Sequence, residues 1–215
     1  MIAVADYGMG NLLSVGRTLE HLGADVEVTS DPAVIAAAAS IVLPGVGAFA
    51  DAMGEIERRG LGEALRARAA AGVPLLGICL GMQLLFEESP EFGRTRGLGL
   101  IPGRVVDIPA APGRRVPRIG WSALHPAGPA GWAGTILASV EPGEFAYFAH
   151  SYSVQPADPG CVVATADYAG LVVPAVVRAG AVWGTQFHPE KSGPVGLRIL
   201  EGFLAAASVP GEHAL

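Results

Sequence analysis

The fragment Gly77-Ile78-Cys79-Leu80-Gly81 constrains this chain more than any other. It follows an apolar run at residues 74–78 that reads as a buried strand, and it precedes residues 82–88, which read as a helix. Glycines two positions before and two after a nucleophilic side chain permit the sharp strand-to-helix turn of a nucleophile elbow, here with Cys in place of Ser. The turn lifts the side chain to the edge of a sheet and aims the start of the helix at the sulfur. The same five residues also suit a cysteine buried as a small hydrophobe.

A strand of this kind needs neighbours. Residues 2–6 and 41–43 are short apolar runs, and residues 25–29 alternate like a half-buried strand. Between them lie helical stretches: one capped by Asn11 with Leu12, Val15, Leu19 and Leu22 on one face, and two more near residues 49–59 and 61–71. This alternation predicts an α/β fold with a mainly parallel central sheet flanked by helices, its ligands at the carboxyl ends of the strands. The second half reads as added antiparallel strands, at residues 104–108, 135–139, 145–148, 161–166, 171–178 and 181–187. A closing helix near residues 193–207 places Leu197, Leu200 and Leu204 together. One domain over residues 1–207, with a frayed tail at 208–215, is expected.

Composition narrows the function classes. The chain has 30 Gly and 17 Pro in 215 residues, but 51% hydrophobic residues, so it folds and its turn residues sit at defined places. Cys79 and Cys161 are too few for a disulfide framework and lack metal-ligand spacing, so no metal or cofactor is expected. A net charge of −6 without a basic run argues against nucleic acid or an anionic membrane as partner. Uncharged runs at 32–50 and 69–86 approach the roughly 18–20 residues of a membrane span, yet Pro and Gly interrupt both. The first residues carry no basic region and meet Asp6 at once, so no signal peptide is read and a cytoplasmic chain is expected.

Two further blocks supply chemistry to the elbow. Gly184-Thr185-Gln186-Phe187-His188-Pro189-Glu190-Lys191 follows a strand, and extended backbone would point His188 and Glu190 to one side. A thiol nucleophile needs a base, and the base needs a carboxylate to orient it; alone, the pair also suits a surface ion pair. Pro44-Gly45-Val46-Gly47-Ala48-Phe49 follows the strand at 41–43 and offers backbone N–H groups for an oxyanion, with the Leu80 N–H as second donor; alone, it is an ordinary turn.

Together, Cys79-Leu80-Gly81-Met82-Gln83 and His188-Pro189-Glu190-Lys191 resemble the class I, triad-type glutamine amidotransferases, whose sheet is flavodoxin-like. The blocks at Asp6–Leu12, Pro44–Phe49, Val116–Trp121, His150–Tyr152 and Gly184–Ser192 resemble, in order, the glutaminase subunits of imidazole glycerol phosphate synthase, over residues 2 to about 204. Arg118 departs from that pattern, which has His there.

The resemblance implies hydrolysis of L-glutamine by Cys79, His188 and Glu190, with an oxyanion hole at Val46, Gly47 and Leu80. It implies a glutamine pocket of Gly45, Gln83, Glu91, Ser151 and Tyr152. It implies ammonia delivery to a (β/α)₈ cyclase partner, met through Asn11, Trp121, Tyr147 and Lys191, the chain's only lysine. Glu91 also suits a solvated charge, His150 a structural hydrogen bond to the Ser151-Tyr152 segment, and Cys161 a core residue. Other readings remain: a glutaminase of anthranilate or pyridoxal phosphate synthesis, a thiol peptidase of similar fold, or a silent binding subunit.

Overall fold

The computed structural model describes residues 1–208. The first half alternates strand and helix: β1 (Ile2–Ala5), α1 (Leu12–His21), β2 (Val26–Thr29), α2 (Pro32–Ala37), β3 (Ser40–Gly45), α3 (Phe49–Arg58), α4 (Leu61–Ala70), β4 (Leu75–Cys79) and α5 (Leu80–Leu84). Short strands follow: β5 (Glu88–Ser89), β6 (Thr95–Arg96), β7 (Gly103–Asp107), β8 (Arg118–Ala123), β9 (His125–Pro126), β10 (Phe145–His150) and β11 (Tyr152–Pro156). The chain closes with β12 (Val162–Tyr168), β13 (Leu171–Ala179), β14 (Val182–Thr185) and α6 (Gly193–Ser208).

The main sheet has the order β2-β1-β3-β4-β14-β13-β12-β9. Its first five strands run parallel and the last three are joined antiparallel, so a parallel core with added antiparallel strands is present. Residues 181–187, expected among the antiparallel strands, instead supply β14, which lies parallel to β4 and is buried between β4 and β13 as the fifth strand of the core. Strands β3, β4 and β14 are buried along their whole length, which explains why they are apolar apart from Ser40 at the start of β3 and Thr185 at the end of β14. Alternate residues feed two cores: Val42, Leu76 and Ile78 pack with α1 and α6, while Ile41, Leu43 and Leu75 pack with α2, α3 and α4. Leu19, Ile35, Ile56, Leu65 and Phe203 are fully buried anchors of these helices. Each such side chain contributes about 1.5–3 kcal/mol by leaving water.

Several local expectations change. Residues 135–139 are not a strand: Thr135 N–H bonds back to the Trp132 carbonyl, Ala138 to Thr135 and Val140 to Leu137, forming successive turns. The turns let adjacent Ile136 and Leu137 both enter the core, which a strand's alternation would forbid. The helix predicted at 82–88 stops at Leu84, because the incoming loop donates from Leu98 to the Leu84 carbonyl and from Leu100 and Ile101 to the Leu85 carbonyl. In α6, Ile199, Leu200 and Phe203 carry the burial, while Leu197 and Leu204 are half-buried. Ser208 belongs to α6, and the rest of the tail predicted to fray lies outside the described residues. Among the described residues no helix is long and apolar enough to cross a membrane.

Candidate active site

Three neighbouring strands end at one place. The register pairs Gly45 of β3 with Cys79 of β4, and Ile78 of β4 with Thr185 of β14, so the 44–49 loop, the elbow and the 186–190 segment emerge side by side. Cys79 ends β4 and begins α5 with φ of 56°, a left-handed conformation that costs an L-residue about 1–2 kcal/mol. The flanking glycines make this turn possible. A Cβ on Gly81 would collide with the Leu43 carbonyl, and one on Gly77 would lie 2.6 Å from the Gly81 carbonyl oxygen. Gly47 of the adjoining loop adopts φ of 98°, another conformation that suits only glycine well.

His188 and Glu190 do meet, but not across an extended strand. His188 precedes a single 3₁₀ turn, Pro189–Lys191, which swings Glu190 back so that its Oε1 lies 2.9 Å from His188 Nδ1. Both side chains are buried, at 4% and 1% exposure. Burial alone would lower the His188 pKa. Hydrogen bonds and charge from Cys79 and Glu190 outweigh it and raise the group to about 9. The same Glu190 oxygen accepts from Asn11 Nδ2 at 3.4 Å. Asn11 stands at the N-cap of α1, as its sequence position predicts, but its side chain leaves the helix backbone uncapped and reaches this carboxylate instead.

In front of the sulfur lies a cavity of about 190 Å³, lined by Val46, Gly47, Cys79, Leu80, Gln83, Glu91, Ser151 and Tyr152 among others. It is smaller than the roughly 300–1,000 Å³ of drug-sized sites and suits one small molecule. A larger surface groove, about 670 Å³, lies between Arg94, Arg96 and Arg104 but holds neither cysteine nor histidine. Glu91 is no solvated surface charge: its Oε2 accepts from the Phe49 N–H at 2.7 Å, at the positive end of α3. Gly45 packs beneath the cavity rather than lining it; a Cβ there would sit 2.8 Å from the Gly81 nitrogen.

A buried polar relay runs behind the sulfur. The Tyr152 carbonyl faces His150 Nδ1 at 2.7 Å and accepts from Gln83 Nε2 at 3.2 Å. Gln83 Nε2 also donates to Gln186 Oε1 at 3.2 Å, and Gln186 Nε2 lies 3.9 Å from Cys79 Sγ. Gln186 stands in the 184–191 block with no sequence feature that singles it out, because its partners come from residues 79 and 83. Tyr7 was also missed: it is fully buried and donates to the Pro44 carbonyl at 2.8 Å, fixing the end of β3. Burial, then the nearby Cys79 charge, pushes its phenol upward. His150 holds the Ser151-Tyr152 segment as a structural hydrogen bond would; burial first, then the charges of Arg118 and His188, lower its pKa to about 4.

The remaining marked residues surround this centre. The Tyr147 carbonyl accepts from the His188 N–H at 2.9 Å, and the Tyr147 ring meets Trp121 edge-on at 5.8 Å. With Asn11 on Glu190 and exposed Lys191 on the same turn, the four residues gather at one rim. Arg118, cross-strand from His150, is buried between the Phe148 and Tyr168 rings and donates to the Asp167 carbonyl at 3.2 Å. Cys161 is half-buried against the second core, away from the relay. His21 and His125 are exposed. Among the described residues no group of His, Cys, Asp and Glu is placed to hold a metal ion.

Comparison with known proteins agrees with this geometry. The family model of class-I glutamine amidotransferases matches residues 3–207. The imidazole glycerol phosphate synthase subunit HisH of Moorella thermoacetica is 48% identical over 202 residues, covering 94% of this chain and 93% of that protein. The subunit of the same name from Geobacillus kaustophilus is 47% identical over 216 residues, covering 99% and 100%. A crystal structure of a glutamine amidotransferase shares the fold with a TM-score of 0.75 at 20% identity, covering 97% of this chain and 99% of that one. Sheet order, elbow and kinship over nearly the whole length agree: the chain belongs to the class-I glutamine amidotransferases, among the HisH glutaminase subunits of imidazole glycerol phosphate synthase.

Proposed function

We propose that Cys79, His188 and Glu190 hydrolyse L-glutamine to L-glutamate and ammonia, and that the ammonia passes to a (β/α)₈ cyclase subunit. That partner uses it to form imidazole glycerol phosphate and an aminoimidazole carboxamide ribonucleotide in L-histidine biosynthesis. The observation that carries this reading is the convergence of the strained Cys79 and the buried His188–Glu190 pair beside a small cavity.

The chemistry follows from the placement. Cys79 Sγ gives its proton to His188 and attacks the side-chain amide carbon of glutamine. Backbone N–H groups at Val46, Gly47 and Leu80 hold the oxyanion that forms. His188 returns the proton to the departing nitrogen, which leaves as ammonia with Cys79 as a γ-glutamyl thioester. His188 then takes a proton from water, which attacks the thioester and frees glutamate and the thiol. Glu190 keeps His188 oriented and balances its charge. Gln83, Glu91, Ser151 and Tyr152 hold the amino-acid end of glutamine, while Asn11, Trp121, Tyr147 and Lys191 form the rim that meets the cyclase. The residues act as one glutaminase domain over positions 1–207.

The test is glutamate release by the chain assembled with the cyclase subunit and that subunit's phosphorylated ligand. Cys79→Ala is expected to lower the rate by about 10⁴-fold or more. Hydrolysis that survives the substitution undiminished contradicts the proposal.

A further inference from the structure

A backbone carbonyl fixes the polarity of the relay behind the nucleophile. Side-chain amides of Gln can turn end for end, so each one's direction must come from its partners. The Tyr152 oxygen is an acceptor under all conditions, and it faces Gln83 at 3.2 Å. Gln83 must therefore present its NH₂ group, and the same NH₂ group faces Gln186 at 3.2 Å. Gln186 must answer with its oxygen, which leaves its own NH₂ group toward Cys79 Sγ at 3.9 Å. Reversing either amide sets donor against donor or acceptor against acceptor inside the protein, where water cannot repair the mismatch. His150 locks the origin of the relay, since a carbonyl at 2.7 Å requires a hydrogen on Nδ1. Gln83 is 4% exposed and Gln186 is wholly buried, so neither amide is free to choose solvent.

The sulfur thus has unlike neighbours. The Ala149 carbonyl, 3.7 Å away, accepts from an S–H and repels a thiolate. The Gln186 N–H does the reverse, and its pull grows when the sulfur carries charge. We propose that Gln186 is a catalytic residue, supplying a fixed N–H donor to the Cys79 sulfur that favours the thiolate once His188 has taken the proton, with its direction set by Tyr152 through Gln83. The inference rests on the reading of Cys79 as the nucleophile. It concerns a residue outside the Cys-His-Glu set and outside the residues lining the cavity.

The test is alkylation of Cys79 by iodoacetamide, followed by peptide mass mapping so that Cys161 is counted separately. Gln186→Met keeps the length and removes the donor; its Cys79 rate at neutral pH is expected to fall about tenfold, the worth of one hydrogen bond, with the deficit shrinking as pH rises. Gln186→Glu keeps the shape but ionises, so its rate relative to the parent falls as the new carboxylate loses its proton. In the assembled enzyme Gln186→Met lowers kcat while the KM for glutamine stays within about twofold, since the side chain faces the sulfur and not the cavity. Should Gln186→Met fail to fold, the isosteric Gln186→Glu pH profile decides alone. Parent-like alkylation in both variants, or equal deficits that ignore pH, overturns the proposal. If the parent complex hydrolyses no glutamine, the functional reading falls by itself, while the alkylation comparison still judges the donor.

Discussion

Among the described residues, the side chains of His188 and Arg118 are buried cations, and they are treated differently. His188 is held beside Glu190, where paired charge repays part of its desolvation. Removing the carboxylate while keeping its shape, Glu190→Gln, leaves the imidazole without its orienting charge; kcat is expected to drop about 10³-fold with a smaller change in KM, measured in the assembled enzyme. Arg118 has no carboxylate in ion-pair contact, and the charges of Tyr168 and Asp167 favour it only from a distance. It is only 1% exposed, its Nε and Nη1 lack any protein partner, and burial lowers its pKa to about 10. Ring stacking and one carbonyl offset only part of that cost. Arg118→Met is therefore expected to raise stability at pH 7 by about 1–3 kcal/mol in urea unfolding, and to move the His150 titration upward by NMR. A stability loss would show that the rings and the Asp167 carbonyl outweigh desolvation.

Among the elements, the elbow tolerates least. The Cβ added by Gly81→Ala meets the Leu43 carbonyl, which is backbone of a fully buried strand and cannot yield cheaply. A loss of about 2–3 kcal/mol is expected, read from the urea midpoint. The β8–β10 ribbon behaves oppositely: Ile119, Trp121 and Phe145 share one face and stay more than half exposed. Trp121→Ala should leave stability within about 0.5 kcal/mol but weaken cyclase binding by about 2 kcal/mol, seen by titrating the partner.

These elements also show why sequence reads some things and not others. The runs of β3, β4 and β14 were legible because strands buried on both faces are apolar at most positions, but the parallel direction of β14 was not, since a short run does not reveal which neighbour it joins. The elbow was legible because close backbone approach admits only glycine at two spaced positions. Residues 135–139 misled because β-branched and apolar residues suit tight turns as readily when the core lies beside them. The His188–Glu190 pairing was legible, but its 3₁₀ geometry was not. The Gln186 relay was illegible because its partners, Gln83 and Cys79, lie 103 and 107 residues away, and only the β4–β14 pairing joins them.

At the scale of the fold, the buried His150 and His188 give stability a pH dependence of opposite sign on either side of about 6.5. His150, at about 4 when folded, binds fewer protons than in the unfolded chain, so stability falls as pH drops from about 6.5 to 4. His188, at about 9 when folded, binds more, so its contribution is complete below 6.5 and is lost as pH rises through 9. Tm is expected to peak near neutrality and to fall by about 5 °C from pH 6.5 to 9. His188→Gln should flatten the alkaline limb and His150→Gln the acid limb, both by calorimetry.

The site itself is a property of the complete fold, since β14 brings its base to a cysteine on β4. The most direct measurement is to treat the folded chain with a chloroketone analogue of glutamine and map the adduct by mass spectrometry. The adduct is expected on Cys79 alone, blocked by excess glutamine and slowed by about 10²-fold or more in His188→Ala. Labelling of Cys161 instead, or labelling of Cys79 that ignores both glutamine and His188, would contradict the assignment of Cys79 as the nucleophile of a glutamine site.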